Sequence, residues 1–251
     1  ATKAVTEAGK GQVFGFGNTF SNVPDGTNIF WPILWAFGGK VQDESGKIVF
    51  NSPETIEAVK WYTGLYTTEK IMPPAVTGWD DTGNNKAWLA GQCACIYNSG
   101  SILYSMRQND PGFAKETVAG PTPAGPQGPK TYSGGSTFGI MVGTKYADFG
   151  ATLIKGIMAP DRYGTNLDTA GGMFYPVLQD YAKLPFYEED AWNKQVAATL
   201  PYTQYAHEPG IPQPWIDEIG GLFLWSEMLA SVAFNNVSPE EAVATAEKKL
   251  V

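Results

Sequence analysis

Residues 91–101 read GQCACIYNSGS, an apolar strand that stops abruptly at Asn98, Ser99, Gly100 and Ser101. A second run, SGGSTFGIMV at residues 133–142, sets Gly134, Gly135 and Ser136 beside another apolar strand. Glycine and serine put little bulk between backbone amides and an approaching molecule. Open α/β sheets bind small molecules where their strands end. These two runs predict an α/β fold with ligand contacts at strand ends. Neither run pairs a nucleophile with a base or gathers metal ligands, so binding is read ahead of catalysis, and neither a metal nor a cofactor is expected.

The 251 residues suffice for one large domain or two modest lobes, and a hydrophobic content of 43% supports a buried core. Formal net charge is -8, and Lys248 and Lys249 form an isolated basic pair. Nucleic-acid binding needs clustered Lys and Arg, so it is not expected. Aromatic residues make up 13% of the chain, enough for an aromatic core, a pocket lined by ring faces, or both. Cys93 and Cys95 lie two apart on a strand-like run and share a face. That spacing suits neither a disulfide nor zinc, and both are read as small core residues. His207, the single histidine, is read as a loop or surface residue with no partners for catalysis.

No run is long and apolar enough for a transmembrane helix, and no signal peptide is visible. The opening ATKAVTEAGKG resembles the last turns of a helix, which suggests that other residues precede it.

Residues 12–20 alternate like a strand, and Pro24-Asp25-Gly26 reads as a turn. Residues 28–37 read as an apolar helix stopped by Gly38-Gly39, and residues 40–50 as a hairpin. Ser52-Pro53-Glu54-Thr55 is a helix start, with an apolar stripe running from Ile56 to Tyr66. The proline-rich residues 119–130 read as a surface connection between strands. From Lys145 the pattern turns helical: helices are expected at 147–158, 161–168, 189–200 and 215–234, with a short turn at 176–181. A final helix is capped by Ser238, with Glu241 at the capping-box position.

With the pieces in order, the chain resembles the family 1 extracellular solute-binding proteins of ABC importers, the maltose-binding-protein-like group. The segments that carry the likeness are WPILWAFGGKV (31–41), FNSPETIEAVKWYTGLY (50–66), AWLAGQCACIYNSGS (87–101), SGGSTFGI (133–140) and NNVSPEEAVATAEKKL (235–250). In the third, Trp88 replaces the family's usual Phe and Cys95 its usual Met. The resemblance implies a type II periplasmic-binding-protein fold without most of its N-terminal lobe. Residues 1–138 and 186–251 would then form the C-terminal lobe, and 139–185 a segment returning to the N-terminal one.

The resemblance further implies a solute held in an interlobe cleft that closes by hinge motion. The partner would be an ABC permease at the membrane. The full-length protein would be a monomer, periplasmic or lipid-anchored outside the cell. A carbohydrate or polyol is the expected ligand. Trp79 reads either as a ring that stacks on a sugar face or as a core residue, and Asp80 and Asp81 as acceptors from hydroxyls. The same acidic pair also reads as a helix cap. Asn98, Ser101, Gly134, Gly135, Ser136, Phe174 and Tyr175 join the candidate contacts, with Trp35 and Trp215 as weaker ones on helix faces. Few Lys or Arg flank these loops, which disfavours an anionic ligand, while the carboxylates leave a cationic one open. A glycoside-active enzyme using paired carboxylates such as Asp80 and Asp217 is the alternative. A purely structural or interaction module is the third.

Overall fold

Ser52 caps the longest helix as expected. The helix runs Pro53–Thr67, the Ser52 side chain accepts from the Thr55 amide, and Pro53 occupies the first turn. The computed structural model containing it describes residues 1–132, 135 and 137–250. These divide into two units. One is Ala1–Asn98, Pro121–Tyr132 and Pro201–Val251; the other is Ser99–Gly120 and Ser133–Leu200.

In the first unit, the Pro53–Thr67 helix packs against helices Phe30–Phe37, Leu224–Asn235 and Pro239–Lys248. Their inward faces build one core around Trp225, Phe30, Leu34, Phe50, Tyr62 and Leu229, all with essentially no exposure. The Trp225 ring stacks on Phe50 with centroids 4.4 Å apart and meets Trp31 edge-on at 5.5 Å. Ser238 caps the last helix by accepting from the Glu241 amide at 3.1 Å.

Beside this core, residues 12–20 and 91–97 run parallel. Phe14 and Gly17 donate to Gln92 and Cys95, and the Ala94 amide returns a bond to Phe14. They pair through isolated bridges, Phe14 with Cys93 and Gly17 with Ile96, rather than as continuous strands. The hairpin at 40–50 forms, with Gly46 at φ 84° and the Asp43 carboxylate accepting from the Ser45 and Lys47 amides. A short parallel pair joins Thr131–Tyr132 to Thr203–Gln204.

Several expectations are corrected. Residues 24–26 form no free turn but open a short helix, Pro24–Asn28, because Pro24 is pre-set for a first helical turn. The single helix expected over 215–234 is two, Pro214–Gly221 and Leu224–Asn235. The Gly220-Gly221 pair is a poor helix interior, and Phe223 breaks the path at φ 52°. Cys93 is buried, but Cys95 is exposed and not core. Their alternation is broken because the strand they share is paired only at isolated points. Residues 137–142 are exposed and form no strand, since among the described residues no neighbour supplies a hydrogen-bonding ladder.

The second unit is helical. Ser101–Asn109 and Pro111–Glu116 pack together, as do Pro185–Glu189 and Ala191–Ala197. Arg107 ties these pairs: its guanidinium meets the Asp190 carboxylate, donates to the Gly171 carbonyl at 3.1 Å and lies 5.8 Å from the Phe186 ring centre. Asp190 in turn caps Ala191–Ala197 through the Asn193 amide. No helix among the described residues is long and apolar enough to cross a membrane.

Candidate functional site

Trp79 lies between the tight turn Pro74–Thr77 and the helix Gly83–Leu89. It is half-buried, and its carbonyl accepts from the Thr19 hydroxyl at 3.1 Å. Two glycines allow its close packing. A Cβ on Gly83 would fall 2.4 Å from the Trp79 Cβ. One on Gly17 would fall 2.5 Å from the Cys93 Sγ and 3.4 Å from the indole edge.

Asp80 is exposed and engaged locally. It accepts from the Thr82 amide at 2.9 Å, the Thr82 hydroxyl at 2.7 Å and the Lys86 ammonium at 2.9 Å. The Lys86 bond, with the Thr82 bonds after it, lowers its pKa to about 2. The helix-cap reading of Asp80 is corrected: Thr82 stands at the N-cap of Gly83–Leu89 with no side-chain capping bond, and Asp80 instead closes a local turn onto Thr82. Asp81 turns the other way and accepts from the Asp25 amide at 3.0 Å.

From Asp25 a series of polar groups runs through the buried Asn84 to the half-buried Asn85 and Asn98. Its Oδ2 accepts from Asn84 Nδ2 at 2.7 Å, and the same amide nitrogen donates to the Tyr97 carbonyl at 3.0 Å. Asn84 Oδ1 accepts from the Asn85 backbone amide at 2.8 Å. Asn98 Nδ2 closes the series by donating to Asn85 Oδ1. Asn84 is buried, so its hydrogen bonds are costly to lose. Burial raises the Asp25 pKa to about 6, with the Asp81 charge adding and the Asn84 bond opposing. Asp25 and Asn84 were missed at the sequence level, where Asp25 reads as a turn residue. A proline-led helix start at Pro24 was the signal available.

Trp35 sits in the core with 2% exposure, its centroid 5.6 Å from Trp31 and 6.2 Å from Tyr132. That burial leaves no ring face open for stacking on a ligand. Its edge joins Gly38, Gly39, Glu54, Gln127 and Lys130 in lining a cleft of about 710 Å³. Trp215 is half-buried against the same core. Asp217, on the Trp215 helix, is exposed, and its charge adds to the burial that raises the Tyr132 pKa. His207 is half-buried in a loop with its ring stacked on Tyr205, and its carbonyl accepts from Gln42 Nε2 at 2.6 Å.

In the second unit, Ser101 opens its helix with its hydroxyl 2.7 Å from that of Ser99. A Cβ on Gly100 would lie 3.2 Å from the Gly172 carbonyl, so this turn packs on the segment leading to Phe174. Gly171 and Gly172 take φ of 59° and 88° there. Phe174 is 57% exposed, and its carbonyl accepts from the Tyr187 hydroxyl at 2.9 Å. Tyr175 meets the Tyr187 ring edge-on at 5.4 Å, and burial raises its pKa. Gly135 is exposed. Gly134 and Ser136 lie outside the described residues. The structure thus brings Asp81 and Asn98 into one acid–amide cluster, leaves Trp79 and Asp80 in the adjoining loop with contacts of their own, and sets Ser101, Phe174 and Tyr175 around one turn of the other unit.

Residues 1–159 match the family model described as bacterial extracellular solute-binding protein. A probable ABC transporter-binding protein of Deinococcus radiodurans is 31% identical over 120 residues, 47% of this chain and 28% of that protein. The maltose-bound MalE3 of T. maritima has a TM-score of 0.80 at 19% identity, covering 99% of this chain and 62% of its own. An ABC transporter solute-binding protein of Agrobacterium radiobacter K84, in complex with ribitol, has a TM-score of 0.78 at 19% identity, covering 99% and 61%. The chain therefore spans about six tenths of these two structures and under a third of the curated relative, and the fold is the type II periplasmic-binding-protein fold. With more than half of its residues matched by the family model, the chain belongs to the bacterial extracellular solute-binding proteins.

Proposed function

We propose that the protein is the substrate-binding component of a bacterial ABC importer, carrying a neutral carbohydrate or polyol to a membrane permease. The observation that supports this reading is a half-buried Trp79, packed on Gly83 and Gly17, in the same loop as Asp81, whose carboxylate is tied to Asp25 and through it to Asn84. A ring face suits the apolar side of a sugar, and acceptors beside donors suit its hydroxyls. The solutes printed for the two solved relatives, maltose and ribitol, are of this class. Asn98 and Trp215 are further proposed contacts in the first unit, and Ser101, Gly135, Phe174 and Tyr175 in the second; Gly134 and Ser136, also proposed from the sequence, lie outside the described residues.

The lobe assignment of residues 1–138 and 186–251 against 139–185, hinge closure on the solute, a monomeric state, and a periplasmic or lipid-anchored location belong to the same proposal. So does the absence of catalysis. An Asp80 carboxyl held near 2 by Lys86 is poorly suited to act as a general acid, which supports binding over glycoside cleavage.

The test is thermal denaturation and titration calorimetry against a panel containing maltose and ribitol. A panel member should raise the Tm in a concentration-dependent way. Trp79→Ala should weaken that binding about tenfold while the circular dichroism stays unchanged. Turnover of a glycoside that disappears in Asp80→Asn would overturn the reading.

A further inference from the structure

We propose that Asp25 is a positioning residue for the ligand contacts Asp81 and Asn98, holding both through its backbone amide and its carboxylate. The inference rests on the carbohydrate-binding reading for its functional meaning, but its geometry stands apart from any ligand. Three segments meet at this residue. The Asp25 amide donates to Asp81 Oδ1, which fixes the loop that follows Trp79. The Asp25 carboxylate accepts from Asn84, which fixes the Gly83–Leu89 helix and, through the Tyr97 carbonyl, the strand end that carries Asn98. The Asp25 carbonyl accepts from Asn18 Nδ2 at 3.3 Å, and that nitrogen also reaches the Tyr62 hydroxyl at 3.1 Å. Asp25 is thus anchored to the core on one side and to the candidate contacts on the other.

The carboxylate–amide bond is charge-assisted, so it is stronger than the neutral bonds along the rest of the relay. Protonating Asp25 weakens the first link, and Asn84, Asn85 and Asn98 are then held by neutral bonds alone. The titratable groups facing Asp25 are Asp81 from the loop, Tyr62 from the Pro53–Thr67 helix and Tyr97 from the strand end. Both tyrosines are pushed above their ordinary pKa by burial and stay neutral in the working range. Asp25 is therefore the group of this cluster that burial brings toward neutrality. A carboxylate raised to about 6 places that change between the acidity of many bacterial surroundings and neutrality.

The deciding measurement needs no ligand. In the ¹⁵N-labelled protein, the side-chain amide signals of Asn84 and Asn98 are followed from pH 4.5 to 7.5. They should titrate together with a midpoint near 6. In Asp25→Asn they should stay fixed, and in Asp25→Glu the titration should return. Signals that do not move in the unaltered protein, or that still titrate in Asp25→Asn, would overturn the inference. If Asp25→Asn fails to fold, the Asp25 carboxyl carbon signal followed in the unaltered protein takes its place: it should share the midpoint of the amide signals, and a different midpoint would overturn the inference. A second arm measures affinity with maltose and ribitol as probes. Asp25→Asn should weaken whichever binds by about tenfold, and unchanged affinity would overturn the positioning role. If neither probe binds the unaltered protein, the carbohydrate reading fails while the amide titration still decides the geometry.

Discussion

Replacing Asp25 by Asn should make the protein more stable at neutral pH, and the structure sets the size and the pH window of the gain. Burial lifts the Asp25 carboxyl from 3.8 to about 6. Between those two values the folded chain keeps a proton that the unfolded chain has released. Stability therefore falls as pH rises through that window and levels off above it. A shift of about 2 units corresponds to about 3 kcal/mol at roughly 1.4 kcal/mol per unit. Asp25 is partly open to solvent, which screens its charge and reduces the expected effect to about 1–2 kcal/mol. A neutral Asn resembles the protonated acid, so the gain should be near zero at pH 3.5 and fully present at pH 7.5. Urea unfolding of both proteins at the two pH values measures this directly, with equal m values as the check on two-state behaviour. Carboxylates remote from Asp25 contribute equally to both proteins and cancel in the difference. A variant less stable than the unaltered chain at pH 7.5, or a gain equal at both pH values, would refute the reasoning. A more stable protein that binds its solute less well is the signature of a residue kept for function rather than for folding.

Two further substitutions probe the scaffold beneath the site. Ser52→Ala removes the acceptor for the Thr55 amide and should cost about 1 kcal/mol in urea unfolding, with binding untouched. Trp225→Ala should cost about 3–5 kcal/mol, because the ring is fully buried against Phe50 and Trp31. Trp225→Phe should cost much less: the indole N–H has no partner among the described residues, so the smaller ring forfeits volume but no hydrogen bond. Equal losses in the two variants would show that the indole N–H matters after all.

Helix starts were the most legible part of the sequence. Ser52 and Ser238 act within four residues of themselves, through bonds between a hydroxyl and a nearby amide, and Pro53 through its fixed φ in the first turn. No distant residue is needed to satisfy them, so local pattern suffices. The interior breaks were less legible for the opposite reason. The Gly220-Gly221 pair permits a helix end without demanding one, and the apolar stripe continues on both sides of it. The strands fared worst. Residues 12–20 show a strand pattern, but their state depends on how many bonds residues 91–97 supply. Residues 137–142 show the same kind of pattern and form no strand, since a strand is stabilised by its neighbour and not by its own composition.

The site divides along the same line. Trp79, Asp80 and Asn98 were legible as loop residues and remain proposed contacts, because glycine, serine and paired acids mark loops that a molecule can approach. Trp35 looked equally available on a helix face, yet the packing of Trp31 and Tyr132 against it uses its surface. Asp25 looked like a turn residue because its partners lie 56 to 59 positions away, at Asp81 and Asn84. A carboxylate can be recognised as buried only when the elements that bury it are known, and burial is what separates Asp25 from Asp80. The first is lifted to about 6 by lost hydration, and the second is held at about 2 by an exposed ammonium. Two acids that read alike in the sequence therefore carry different chemistry: Asp80 secures its own turn, while Asp25 spends folding stability to hold three segments in register.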